Sequence, residues 1–183
     1  MEEFRSGNGT AWLDFLATHL GRYRETQVDQ LSDPRALKEW LRLHDLDAPG
    51  PTERDLAAAR DLREALHAVT VAALKKTAAA PADLRVIESI LRNDRPLKLR
   101  KAAGGFKALG PASVSEALAR LARQAIVDLT GANRELLHAC GDEACSGIFL
   151  DQVGRRRWCS DERCGNRARV RAHRARAKEA EEE

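Results

Sequence analysis

No run of this sequence approaches the ~18 consecutive apolar residues of a membrane-spanning helix, so no membrane partner is expected. The opening residues, M-E-E-F-R-S-G-N-G-T, lack both the basic cluster and the apolar stretch of a secretory signal, and a cytoplasmic location follows. Catalytic signatures are missing as well. There is no glycine-rich phosphate loop, no nucleophile elbow and no H-E-x-x-H zinc motif, and the expectation is that the chain is not an enzyme. Internal repeats are absent. Cysteine does not occur in the first 139 residues, and all four, Cys140, Cys145, Cys159 and Cys164, fall in one short stretch. In a reducing compartment such clustering points to metal rather than to disulfides.

At 183 residues and 43% hydrophobic content the chain can bury a real core. Its net charge of +3 would not by itself suggest a polyanionic partner. The distribution does: from Arg155 to Lys178 ten Arg or Lys face only Asp161 and Glu162, a local balance of +8, and residues 180–183 read as an acidic tail.

Apolar residues Trp12, Phe15, Leu16, His19 and Leu20 recur at helical spacing, which predicts a first helix from Thr10 to about Arg22. Asp33-Pro34 is an N-cap followed by proline at the first helical position, opening a helix that ends near Asp45. The D-A-P-G-P turn at 47–51 precedes Thr52 and Glu53, which start the longest periodic segment, with Leu56, Ala59, Leu62, Leu66, Val69 and Ala73 on one side. Ala78 to Pro81 breaks it, and Leu84, Ile87, Ile90 and Leu91 mark a further helix. Residues 96–110 alternate and contain Gly104-Gly105, the pattern of a β-hairpin. Ser113 then caps a helix that Gly131 ends. His19, His44 and His67 on these helices read as structural rather than as ligands, and Trp12, Phe15 and Trp40 as core rather than as a pocket.

The spacing Cys140-x4-Cys145-x13-Cys159-x4-Cys164 suits a closed tetrahedral thiolate site for one structural Zn2+, with no open position for catalysis. Gly141-Asp142 and Ser160-Asp161 supply turn formers inside the two loops. Ile148 to Leu150 reads as a strand, Gly154 as its turn and Arg155 to Trp158 as the returning strand. Metal binding is expected to supply most of the stability of so small a unit, on the order of ten kcal/mol. Ser160 can cap the helix that follows, on which Arg163, Arg167, Arg171, Arg174 and Lys178 share a face widened by Arg169, Arg176 and His173. So thin an apolar strip suits solvent or a phosphate backbone, and arginine suits bidentate contacts to phosphate or guanine. The candidate nucleic-acid contacts are Arg155, Arg156, Arg157, Arg167, Arg169, Arg171, Arg174 and Arg176.

The run R-R-W-C-S at 156–160, C-G-N-R at 164–167 and A-R-V-R-A-H-R-A-R at 168–176 resembles the CGNR zinc finger family of bacterial proteins. In that family the finger follows a mostly helical domain, ABATE, whose N-terminal pattern Trp12-Leu13-Asp14-Phe15 and Trp40-Leu41 resembles. The resemblance implies zinc on Cys140, Cys145, Cys159 and Cys164, DNA binding, and a stress-induced transcription regulator. Asn166 could bond a ligand sulfur, the backbone or a base.

The fold class expected is mostly α with a small β component: a helical domain over 1–132 containing a short hairpin, then a treble-clef-like zinc hairpin and helix over 133–179. The function expected is DNA-binding transcriptional regulation, with the first domain sensing a small-molecule effector or forming a homodimer. The alternatives are a structural or protein-interaction module without nucleic-acid affinity, and an RNA-binding protein.

Overall fold

The computed structural model describes residues 4–182, with side chains described as far as Lys178. The side chains of the expected acidic tail at 180–183 lie outside the described residues. The fold is mostly helical with three small two-stranded sheets, as expected from the residue pattern. No helix among the described residues is long and apolar enough to cross a membrane.

Side-chain capping sets the start of three of the five α-helices that precede the cysteines. Helix α1 spans Ala11–Leu16, α2 Pro34–Leu43, α3 Glu53–Leu74, α4 Pro81–Leu91 and α5 Val114–Thr130. The Asp33 carboxylate accepts the amides of Arg35 and Ala36 at the start of α2. Thr52 and Asp55 form a reciprocal capping box at the start of α3, and Ser113 accepts the Glu116 amide at the start of α5.

The first helix is shorter than its periodicity predicts. The chain leaves α1 after Leu16, and His19–Leu20 forms a strand, β1, antiparallel to Val28–Asp29, β2. The cause is distant in sequence: Arg63 of α3, 2% exposed, donates to both oxygens of Asp29 (2.7 and 2.8 Å) and to the Thr18 hydroxyl (3.0 Å). A buried guanidinium is tolerated only when paired and hydrogen-bonded, and Thr18, just before β1, and Asp29 of β2 supply those partners. Gly21, at φ +68°, turns the chain where a continuing helix would have run.

The predicted hairpin is present, with β3 at Leu99–Ala102 and β4 at Gly105–Ala108. Trp12, Phe15 and Trp40 are fully buried, and the Trp12 indole donates to Asp128 (2.6 Å), tying α1 to α5. Of the expected α4 stripe only Ile87 is buried, and Leu84 is exposed.

The C-terminal hairpin is built differently from its expected form. Strand β6, Ile148–Leu150, pairs not with 155–158 but with β5, Leu137–Ala139, which precedes the first cysteine. The Asp151 carboxylate accepts the amides of Val153, Gly154 and Arg156, curling the chain away from a ladder. Leu137, Ile148 and Leu150 belong to the same buried cluster as Trp12, Leu62 and Leu118. The N-terminal arm covers the outer side of this hairpin: Leu150 donates to the Asn8 carbonyl, and Asn8 donates through its backbone and side chain to Asp14 of α1.

Candidate metal centre and basic helix

The four cysteines converge from two knuckles. Cys140 and Cys145 flank the loop between β5 and β6. Cys159 and Cys164 flank a wide turn in which the amides of Cys164 and Gly165 both reach the Ser160 carbonyl (2.9 and 3.1 Å), while the Ser160 hydroxyl accepts the Arg163 amide. Helix α6, Asn166–Glu182, continues from that turn.

The Sγ atoms of Cys145, Cys159 and Cys164 lie 3.5 to 3.6 Å apart, and all four cysteine sulfurs lie within 4.8 Å of one another. Thiolates 2.3 Å from a central tetrahedral zinc are separated by about 3.8 Å, so the cluster fits this ion. Left to themselves, the thiols share hydrogen bonds that lower Cys140 and raise Cys145 and Cys159 from the ordinary thiol value, so they do not ionise together. A divalent cation removes that conflict, and the four clustered cysteines are consistent with one structural zinc.

Two glycines make room for the centre. A carbon added at Gly147 would sit 2.7 Å from the Cys159 sulfur and 3.3 Å from that of Cys145, and the Gly147 amide donates to Cys145 (3.3 Å). A carbon added at Gly165 would meet Asp161 and would lie 2.9 Å from the Trp158 ring. Trp158 also packs on Gly141 and carries the Arg157 guanidinium on its face at 4.7 Å, so the indole fills the space between the knuckles.

Asp142 organises the charges around the centre. Its carboxylate is wholly buried, accepts the Ala144 amide, and receives Arg167 through Nε (3.1 Å) and Nη2 (2.8 Å) and Arg171 through Nη2 (2.8 Å). Burial pushes this carboxyl up, but the hydrogen bonds from Arg171 and Arg167 outweigh it and hold it below the ordinary carboxylate value. Arg24, from the β1–β2 loop, lies 3.9 Å away on the same carboxylate and donates to the Ala144 carbonyl. Arg167 also donates to the Cys164 sulfur at 2.9 Å. Asn166 is exposed and makes no hydrogen bond to a sulfur among the described residues; Arg167 makes that contact instead.

The candidate contact arginines therefore divide into two groups. Arg156 donates to the carbonyls of Gly7, Trp158 and Cys159 and lies over the Phe149 ring. Arg157 is stacked on Trp158, Arg169 pairs with Asp161, and Arg167 and Arg171 hold Asp142. The side chains of Arg155, Arg174 and Arg176 are exposed and have no ion pair or hydrogen bond among the described residues.

The pattern of residues marks Asp142 only as a turn former and passes over Gly147 and Arg24. A glycine two residues after the second cysteine was the available signal for Gly147. The partners of Asp142 come from far along the chain and leave no local trace.

Comparison with known families assigns both halves. A family model described as "Putative stress-induced transcription regulator", ABATE, matches residues 9–132. A CGNR zinc finger model matches residues 137–177. No curated protein matches the chain.

Proposed function

Because the chain belongs to the ABATE family of transcription regulators and carries a C-terminal CGNR zinc finger, we propose that it binds duplex DNA through the distal part of α6. In this reading zinc on Cys140, Cys145, Cys159 and Cys164 fixes the root of the helix, and the domain over 1–132 senses an effector or pairs two copies. The division of the arginines carries the proposal. Arg167 and Arg171 are turned inward onto Asp142, whereas Arg174, Arg176 and the loop residue Arg155 are exposed and have no partner among the described residues. A helix of mostly alanine and arginine with so little apolar surface gains little from packing and is suited to lie along phosphates.

The test is a salt titration of zinc-loaded protein on a pool of random-sequence duplexes, read by fluorescence anisotropy. Replacing Arg174 and Arg176 together with Ala should weaken binding at every sequence and reduce the salt slope by about two. An unchanged slope refutes the contact assignment. Binding to RNA duplexes but not to DNA would move the reading to an RNA partner. One observation favours an interaction module instead: the finger donates to two carbonyls of the N-terminal arm, the Leu150 amide to Asn8 and the Arg156 guanidinium to Gly7, and in that reading zinc serves the fold alone. That reading predicts no salt-dependent binding to either nucleic acid.

A further inference from the structure

A cavity of about 230 Å3 lies where residues near the start of the chain meet the two cysteine knuckles. The N-terminal arm (residues 4–8), the end of α1 with β1 (residues 16–21) and the two cysteine knuckles (residues 144–148 and 159–163) each contribute walls. The volume is too large for a few bridging waters and small for a nucleotide, which sets the scale at a small metabolite.

Its lining is mixed in chemistry. Phe4, Leu16, Leu20 and Ile148 supply the larger apolar side chains. Arg5, Arg24, Arg163 and Arg167 supply four guanidinium groups. Arg24 and Arg167 are already engaged with Asp142, and Arg167 with the Cys164 thiolate as well. Arg5 and Arg163 are not. Neither has an acidic partner within ion-pair distance among the described residues, and the Arg5 Nε is buried without any hydrogen-bond acceptor. Glu162, the one acid in the lining, is exposed. Two guanidinium groups that line one cavity without an acidic partner suit an oxyanion, which would take charge-assisted bonds from Arg5 and Arg163.

We propose that this cavity binds a small organic acid, its carboxylate or phosphate head held by Arg5 and Arg163 and its apolar body against Phe4, Leu16, Leu20 and Ile148. The proposal deepens the regulatory reading, on which it rests only for its consequence. The ligand would touch the N-terminal arm and the turn that roots α6, so its binding free energy would favour one placement of the finger against the N-terminal domain.

Calorimetry on the zinc-loaded full chain, without DNA, tests it with four probes: benzoate, phenyl phosphate, benzyl alcohol and inorganic phosphate. Benzoate or phenyl phosphate should bind, with benzyl alcohol and inorganic phosphate at least about tenfold weaker. Arg5→Gln and Arg163→Gln should each weaken the binding about tenfold, while Arg85→Gln, on the exposed side of α4, leaves it unchanged. Arg163 has an exposed side chain, so its substitution should leave the fold intact; zinc content and circular dichroism verify this. The proposal is overturned if neither organic acid binds at about 10 mM, if benzyl alcohol or inorganic phosphate binds as well as they do, or if both arginine variants bind like the parent. Because no DNA is present, a chain that ignores duplexes yet binds the acid refutes only the DNA reading.

Discussion

Replacing Asp142 with Asn isolates the charge that holds α6 to the metal centre. The substitution keeps the shape of a wholly buried side chain and removes its charge, leaving Arg167 and Arg171 to face a neutral amide. Breaking a buried ion pair from one side costs roughly 3–5 kcal/mol. Here the arginine side chains are 35% and 55% exposed and regain water, so the expected loss is lower, about 2 kcal/mol. For a chain of this length that corresponds to a fall in Tm of roughly 4–8 °C.

A second effect follows from Arg167, which Asp142 orients and which donates to the Cys164 sulfur. Without that orientation the thiolate loses its charged donor, and zinc affinity should fall by about 10- to 100-fold. Thermal unfolding by circular dichroism and competition with a chromogenic chelator measure the two effects separately. An Asp142→Asn protein with parental Tm and parental zinc affinity refutes the assignment of Asp142 as the organiser of the centre.

Gly147→Ala places a methyl 2.7 Å from a ligand sulfur that cannot retreat from its tetrahedral position, so zinc should be bound at least about tenfold more weakly while α1 to α5 keep their helical signal; parental zinc affinity would contradict the crowding argument. Burial, reinforced by the positive charge of Arg22, lowers His67 from 6.5 to about 4, and the ring hydrogen-bonds the Ser146 carbonyl. The unfolded chain then binds the extra proton first, so this stability is intact above pH 6.5 and drains away as pH falls towards 4, up to ~3 kcal/mol in all. Denaturant midpoints across that window should flatten in His67→Gln. Chelation should raise hydrogen exchange not only in the knuckles but at Leu150 and in the N-terminal arm, because Leu137, Ile148 and Leu150 share the helical core; unchanged exchange in the arm would show the finger to be energetically separate.

Features that depend on neighbouring residues were legible in the sequence. Asp33, Thr52, Ser113 and Ser160 cap their helices through partners two to three positions away, and the sheet at residues 99–108 turns where glycine allows. The cysteine cluster was legible for a related reason: the chemistry of four thiols admits few uses. Elements decided by remote partners were not. Residues 17–22 carry a helical apolar pattern, but Arg63 draws Asp29 and Thr18 together and imposes strands. The sequence after Leu150 invites a local hairpin, whereas β6 takes its partner from before Cys140 and the Asp151 turn consumes the amides a local ladder would need.

The same distinction governs the arginines of α6. A helical projection places Arg167, Arg171 and Arg174 on a common face, and nothing in that face says which anion each one meets. Position along the axis decides it. Arg167 and Arg171 lie close enough to the knuckles to reach the buried carboxylate of Asp142, while Arg174 is about 4.5 Å further along the axis, beyond the end of the metal centre's own counter-charge. The helix is thus held at its root by the Asp142 network, while Arg174 and Arg176 towards its tip have no partner among the described residues. A polyanion engaging the tip would not have to break the Asp142 network, and anything that shifts the root, such as loss of zinc or a ligand beside Arg163, would redirect the tip as a lever. On the proposed reading, binding would depend on this gradient of commitment along one helix rather than on its total charge.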